Sequence, residues 1–309
     1  MDTAKPYTPL TPKMALDLAA PHTWPAAIMP AFVALCAAAD AGPVSAGLAL
    51  AMLAIVILMQ SAVNTFNDYY DYVKGTDDAD AAVAEDDAVL VYNNVNPKAV
   101  LALAIAFLAC AFALGVLPVL AAGWMPLAIA AVGALCVVAY SAGSSPLSYL
   151  PLGEAVSGIV MGGLIPLAYY YVLTLRLDPL VLLWAVPEVI GVGLTMMTNN
   201  VSDIERDTRA RRRTLPVLLG RQRTVALYRA LLVLWLAAIA FDVIAFFTNG
   251  WMLLPFAFLA AYPQLKALFA NSFEPNRRLS SMPQILSLNL TLGAFYGAAI
   301  LAAGIIPLP

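Results

Sequence analysis

The chain is a succession of long apolar runs separated by short polar breaks. A membrane-spanning helix needs about 20 mostly apolar residues. Nine intervals meet that need: 22–41, 44–67, 98–119, 122–141, 152–173, 179–202, 223–247, 251–270 and 283–306. None of them shows the period-2 alternation of a barrel strand, so the backbone polar groups must be satisfied within helices. Pro43, Pro97, Pro146, Pro151, Pro179 and Pro283 fall at or near the ends of runs, where a missing N–H costs least. The pattern predicts an all-α polytopic membrane protein, a bundle of about nine transmembrane helices, with residues 1–309 forming a single integral-membrane domain.

Composition removes the competing classes. Hydrophobic residues make up 62% and charged residues 11% of the chain, against roughly 45–50% and about 25% in soluble domains. With a mean hydropathy of +0.83, neither a water-soluble enzyme nor a disordered chain fits. A net charge of −3 offers no basic field for nucleic acid. Cys36, Cys110 and Cys136 lie isolated in apolar runs and form neither a disulfide framework nor a metal cluster. His22 is the only histidine, which excludes histidine-based metal sites and catalytic triads. Residues 1–20 contain Pro6, Pro9 and Pro12 and lack a signal-peptide core, so insertion is expected to use the spans themselves.

Charge placement gives the orientation. With nine spans, fifteen of the sixteen Lys and Arg residues fall on one face and Arg176 alone on the other. The positive-inside rule makes the rich face cytoplasmic. The expected location is therefore the cytoplasmic membrane, with the N-terminal segment 1–20 and the long connections 68–97 and 203–223 inside the cell.

Two of the polar breaks carry the chemistry. The second run ends in Asn64, Asn67, Asp68, Asp71, Lys74, Gly75 and Asp77. Residues three, four and seven apart share a helix face, so Asn64, Asn67, Asp68 and Asp71 are expected to converge, with Gly75 as the helix stop. The sixth run ends in Asn199, Asp203 and Asp207, again spaced by four. Both ends present Asn-x-x-x-Asp, a duplicated device rather than a repeat of the whole chain. Carboxylates stacked at i, i+4 repel, and the membrane boundary adds a desolvation cost. A positive partner is required. Hard oxygen donors suit Mg²⁺, which commonly enters such sites with substrate phosphate, and the neighbouring arginine run can meet phosphate oxygens directly. Gly158-x-x-x-Gly162 reads as a close helix contact. Glu188, Asp242 and Asn289 read as polar partners of neighbouring helices.

The two Asp-rich segments resemble the signatures of the UbiA superfamily of intramembrane prenyltransferases, with most similarity to its 1,4-dihydroxy-2-naphthoate polyprenyltransferase (MenA-type) branch. The first is Asn67-Asp68-Tyr-Tyr-Asp71-Tyr-Val-Lys74-Gly75-Thr-Asp77. The second is Asn199-Asn200-x-x-Asp203-x-x-x-Asp207, followed by Thr214-Leu215 and Leu219-Gly220. A third comprises Tyr140 and then Pro146-Leu147-Ser-Tyr149-Leu-Pro-Leu152-Gly153-Glu154. The chain departs from the family pattern at Ala20 and Ser202, where the family commonly has Arg. It departs also at Arg211 and Arg212, which replace Gly and Lys, and over 84–97, which is acidic and then Asn-rich rather than basic.

The resemblance implies a polytopic bundle that transfers a polyprenyl group from an allylic diphosphate to an aromatic acceptor, 1,4-dihydroxy-2-naphthoate in this branch, giving demethylmenaquinone with loss of CO₂. It implies that Asp71, Asp77, Asp203 and Asp207 hold Mg²⁺ against the diphosphate, with Asn67 and Asn199 orienting them or binding metal. It assigns Lys74, Arg209 and Arg212 to the phosphate oxygens, and Asp68, Tyr140 and Tyr149 to the substrate-binding set. Tyr69, Tyr70, Tyr72, Tyr140 and Tyr149 become candidates to stabilise an allylic cation. Glu154 is a candidate for orienting substrate. A UbiA-type enzyme with another acceptor remains an alternative. So does a cation-coupled secondary transporter, against which stands the position of the Asp clusters at helix ends rather than at the midplane.

Overall fold

The structure is a computed structural model that describes residues 6–75, 89–143 and 146–305. The protein is built of helices, and among the described residues the only β element is an isolated bridge between Thr8 and Val95. Helix occupies most of the described residues of each of the nine apolar intervals. Among the described residues six helices are long and apolar enough to cross a membrane: Ala46–Val73, Pro97–Ala122, Gly153–Thr174, Arg221–Phe246, Thr248–Ala270 and Pro275–Ala303. The pair Pro12–Thr23 and Pro25–Ala41, bent by 58°, makes a seventh if it is one span, and Met125–Ser141 is a shorter apolar helix.

The chain begins with α1 (Pro12–Ala19), capped by the Thr11 hydroxyl, and α2 (Pro25–Ala41). Helix α3 (Ala46–Val73) is capped by Ser45 and stops at Gly75, whose φ of +68° suits a residue without Cβ. The short α4 (Val89–Asn93) leads to α5 (Pro97–Leu114), where Asn96 is the N-cap and Pro97 takes the first position. Next come α6 (Val116–Ala122), α7 (Met125–Ser141) and α8 (Gly153–Ser157). Helix α8 passes through a π-helical stretch at Gly158–Leu164 into α9 (Ile165–Thr174). The short α10 (Leu180–Trp184) precedes α11 (Val186–Ser202), after which come α12 (Ile204–Arg209) and α13 (Leu215–Leu219). The last three are α14 (Arg221–Phe246), α15 (Leu254–Ala270) and α16 (Arg278–Ile305). Pro283 proves not to mark an end: α16 begins five residues earlier, and Pro283 sits inside it. Pro30 and Pro263 lie likewise within α2 and α15.

Of the long spans α16 is the most enclosed, packing on α2, α11 and α15, whereas α5–α6 and α15 are the least. Leu120, Leu135 and Leu259 are each more than two-thirds exposed, as side chains facing lipid are. Between helices the cohesion must come from close packing and buried polar pairs, because lipid is as apolar as leucine. The Gly158/Gly162 contact is of this kind. A Cβ on Gly162 would lie 2.4 Å from the Val189 nitrogen, so the backbones of the π-helical stretch and α11 touch. Asp242 accepts from the Tyr296 hydroxyl at 3.2 Å, which gives it a partner on another helix.

The described parts of the connections expected on one face gather at one end of the bundle. Thr8 and Asn94 bond the N-terminal segment to the chain before α5. The Arg213 amide donates to the Tyr149 carbonyl at 2.8 Å. Arg278, at the start of α16, reaches the end of α11. The opposite end is closed by contacts such as Asn249 donating to the Ala303 carbonyl at 2.8 Å.

Candidate active site

The ends of α3 and α11 both lie at this polar end, and the Arg212 side chain bridges them. Its guanidinium is hydrogen-bonded to Asp71 of the first motif and lies 3.6 Å from Asp207 of the second. The chain delivers it by a tight reversal. After α12, Arg211 adopts φ +57°, and the Arg212 amide donates to the Asp207 carbonyl at 2.8 Å. Arg212 and Asp71 are 7% and 5% exposed at their side chains, so each is a buried charge whose main compensation is the other. Burial works against the Arg212 charge, and Asp71 and Asp207 more than offset it, so the guanidinium holds its proton more tightly than usual. For Asp207, outside the spans, burial is the largest influence. It pushes the carboxyl up to about 6, opposed by Arg212 and by the Thr214 hydroxyl 3.1 Å away.

On the α3 side, Asn67 donates to Asp71 at 3.2 Å and accepts from the Ser141 hydroxyl at 3.2 Å. Lys74 donates to the Ser141 carbonyl at 2.7 Å, and its ammonium stands over the rings of Tyr70 and Tyr149, 5.2 and 4.9 Å from their centres. Arg212 stands 4.8 Å from the same Tyr149 ring, so this aromatic face already serves two cations. On the α11 side, Asp203 sits where α11 gives way to α12. Arg278 donates to Asp203 at 2.8 Å and to Asn199 at 3.3 Å, while Arg206 pairs with the other Asp203 oxygen at 3.0 Å.

The expected set is therefore only partly gathered. Asn67, Asp71, Lys74, Tyr149, Asn199, Asp203, Asp207 and Arg212 are brought to one place. Asp77 lies outside the described residues. Asp68 turns elsewhere and accepts from the Val89 amide at 3.0 Å, holding α4. Asn64 donates to the Ala19 carbonyl and to Thr23, both at 2.9 Å, and ties α3 to the turn after α1. Arg209 is exposed on α12. Tyr69 and Tyr72 pack into a cluster with Leu18, Val89, Leu90 and Val95, away from Arg212. Residues not foreseen as part of the site are Arg278, Arg206 and Ser141. Arg278 is 75 positions from Asp203, and no local spacing marks the pair.

The candidate metal ligands of the gathered set, Asn67, Asp71, Asn199, Asp203 and Asp207, all offer oxygen, the chemistry that Mg²⁺ prefers. Among the described residues no three His, Cys, Asp or Glu side chains are close enough to enclose an ion on their own. Guanidinium groups meet the carboxylates instead. The donor set fits an ion that takes part of its shell from phosphate and water.

An apolar cavity opens beside this cluster. Its empty volume is about 1150 Å³, the open mouth included, between α2, α3, α5–α7 and α8–α9. Met52, Met59, Phe112, Gly133, Met161 and Leu164 are among its walls, and Gln60, Tyr140 and Ser157 are its polar members. Tyr140 directly precedes Ser141, the residue bonded to Asn67, so the polar end of the cavity abuts the first motif.

The UbiA prenyltransferase family model matches residues 27–305. The 1,4-dihydroxy-2-naphthoate octaprenyltransferase of Bacillus subtilis (strain 168) is 34% identical over 214 residues, covering 69% of this chain and 68% of that protein. The protein of the same name from Mycobacterium tuberculosis is 35% identical over 219 residues, covering 69% and 72%. Among solved structures, a UbiA homologue from Archaeoglobus fulgidus bound to DMAPP and Mg²⁺ superposes with a TM-score of 0.63 at 18% identity, covering 93% of this chain and 99% of that one. The apo UbiA homologue from Aeropyrum pernix K1 gives 0.66 at 19% identity, covering 89% and 96%. Sequence and fold agree that this multi-span membrane protein belongs to the UbiA prenyltransferase family.

Proposed function

We propose that the protein transfers a polyprenyl group from an allylic diphosphate to 1,4-dihydroxy-2-naphthoate, with loss of CO₂, to give demethylmenaquinol, the reduced form of demethylmenaquinone. The observation that carries this reading is the meeting of the two Asp motifs at Arg212 with an apolar cavity beginning at Tyr140. A substrate with a doubly charged head and a long hydrocarbon tail needs those two environments in contact. The names of the Bacillus and Mycobacterium relatives support the aromatic acceptor, and the Archaeoglobus homologue bound to DMAPP and Mg²⁺ supports the donor and the metal.

Asp71, Asp203 and Asp207, with Asn67 and Asn199 and with Asp77 from the adjoining connection, would hold Mg²⁺. The ion, when bound, stabilises the negative charge of the departing diphosphate. Lys74 and Arg212 supply further positive charge to the same oxygens. The allylic C–O bond breaks with its electron pair leaving on the diphosphate. The acceptor ring carbon forms the new C–C bond, and the carboxylate departs as CO₂, returning its bonding pair to the ring. The apolar cavity walls hold the tail and keep water from the cation. The positive-inside pattern orients the polar end toward the cytoplasm, where the N-terminal segment also lies.

The test is turnover by purified protein in lipid with Mg²⁺ and a farnesyl or longer diphosphate. The acceptors offered singly are 1,4-dihydroxy-2-naphthoate, 4-hydroxybenzoate and a lipid alcohol. EDTA-sensitive formation of prenylated naphthoquinol with equimolar pyrophosphate is expected. Product only with another acceptor would overturn the naphthoate assignment.

A further inference from the structure

One buried acid adjoins the site without belonging to the ion-pair network. Glu154 is the second residue of α8 and 6% exposed. Its Oε1 accepts from the Asn200 side chain at 2.9 Å. Its Oε2 is buried with no hydrogen-bonding partner. An unmatched buried carboxyl oxygen costs more than a hydrogen bond normally returns, so its retention calls for a ligand.

The surroundings say where that ligand would lie. Asn200 follows Asn199 on α11, which fixes Glu154 to the second motif. A Cβ on Gly153 would stand 3.5 Å from the Tyr140 hydroxyl and 3.7 Å from Asn200. Ser157 and Met161, one and two turns along the same face as Glu154, line the apolar cavity. The Tyr140 hydroxyl donates to the Met196 sulfur of α11 at 3.1 Å. Glu154, Tyr140 and Asn200 thus surround the point where the charged cluster gives way to the cavity. A donor with its diphosphate in the one and its tail in the other has its reacting carbon at that point, and the attacking ring must arrive there.

We propose that Glu154 Oε2 accepts a hydrogen bond from a ring hydroxyl of the acceptor and so selects hydroxylated aromatic rings. This rests on the prenyl-transfer reading and deepens it. The hydrogen bond points the ring carbon at the allylic carbon. It also draws the hydroxyl proton outward, which raises electron density on the ring as the C–C bond forms. Asn200 is a positioning residue that fixes the carboxyl plane.

The test uses the full-length protein in lipid with geranyl or farnesyl diphosphate and Glu154→Gln. That change preserves shape and the Oε1 contact to Asn200 but puts a donor in place of Oε2. Initial rates are measured with 1,4-dihydroxy-2-naphthoate and with analogues lacking one hydroxyl or carrying it as a methyl ether. Wild type is expected to favour the dihydroxy acceptor over the analogue missing the bonded hydroxyl by about 10- to 100-fold in kcat/KM, the range of a hydrogen bond to a charged group. In Glu154→Gln that preference is expected to collapse to within about threefold, while the KM for the diphosphate stays within twofold of wild type. Glu154→Asp, which keeps an acceptor oxygen, should recover part of the preference. If Glu154→Gln discriminates among the analogues as wild type does, or if its loss falls equally on donor and acceptor, the inference is overturned and the prenyl-transfer reading stands. If wild type prenylates no hydroxylated ring at all, the parent reading fails and this one with it.

Discussion

Arg212→Met tests the join between the two motifs. The substitution keeps an unbranched side chain of similar reach and removes the charge that Asp71 and Asp207 share. Breaking a buried ion pair from one side costs about 3–5 kcal/mol, because the remaining charge is left without compensation. Asp207 keeps the Thr214 hydroxyl. Asp71 keeps the Asn67 amide. Those contacts place the expected loss at the lower end, about 3 kcal/mol. For a chain of this size that corresponds to a fall of about 5 °C in the unfolding midpoint, read by intrinsic fluorescence of detergent-purified protein in EDTA. Arg212→Met combined with Asp71→Asn removes the stranded charge and is expected to recover most of the stability, giving a coupling of about 2 kcal/mol in the double-mutant cycle. Neither variant should turn over. An Arg212→Met protein as stable as wild type in EDTA, or single-variant losses that simply add, would refute the claim that Arg212 compensates Asp71.

Other substitutions probe the rest of the account. Asp71→Ala and Asp203→Ala should each abolish turnover while leaving membrane insertion intact, as followed by fractionation and size-exclusion profile; full activity in either removes that residue from the site. Arg278→Ala leaves Asp203 with Arg206 alone and should lower turnover at least tenfold, on the scale of a lost charge-assisted hydrogen bond of about 1.5–3 kcal/mol. Gly162→Ala forces the π-helical stretch away from the Val189 backbone and should cost about 1–3 kcal/mol as overpacking, visible as a lower midpoint. Gly133→Leu extends a side chain into the cavity opposite Met59 and should shorten the longest donor accepted, read by product mass with donors of graded length.

Much of the architecture was legible because its physics is local. Twenty-residue apolar runs have few folded solutions in lipid, and caps such as Asn96-Pro97 and the stop at Gly75 are written in adjacent residues. Pro283 was misread as a boundary because a proline near the end of an apolar run looks alike whether the helix starts there or a turn earlier. At the site, periodicity put Asn64, Asn67, Asp68 and Asp71 on one face of α3, but only Asn67 and Asp71 meet each other there. It could not say that Asn64, about 10 Å of helix rise from Asp71, would meet the turn after α1, or that Asp68 would meet α4. Those partners are set by packing between distant segments. The same holds for Arg278 and Asp203, which meet only because α16 packs on α11. The paired Asn-x-x-x-Asp ends were readable because the same device occurs twice at the ends of long apolar runs.

The central claim is that both Asp motifs serve one metal–diphosphate site, and Mn²⁺ reports on this directly. Purified protein in lipid would be titrated with Mn²⁺ and a non-reactive thiolo analogue of farnesyl diphosphate, with binding and ³¹P coupling read by electron paramagnetic resonance. Wild type should bind the ion with phosphorus in its shell, and Asp71→Asn and Asp203→Asn should each abolish that signal. Retention of the phosphorus-coupled signal in either variant would show that the motifs do not act as one site and would contradict the account.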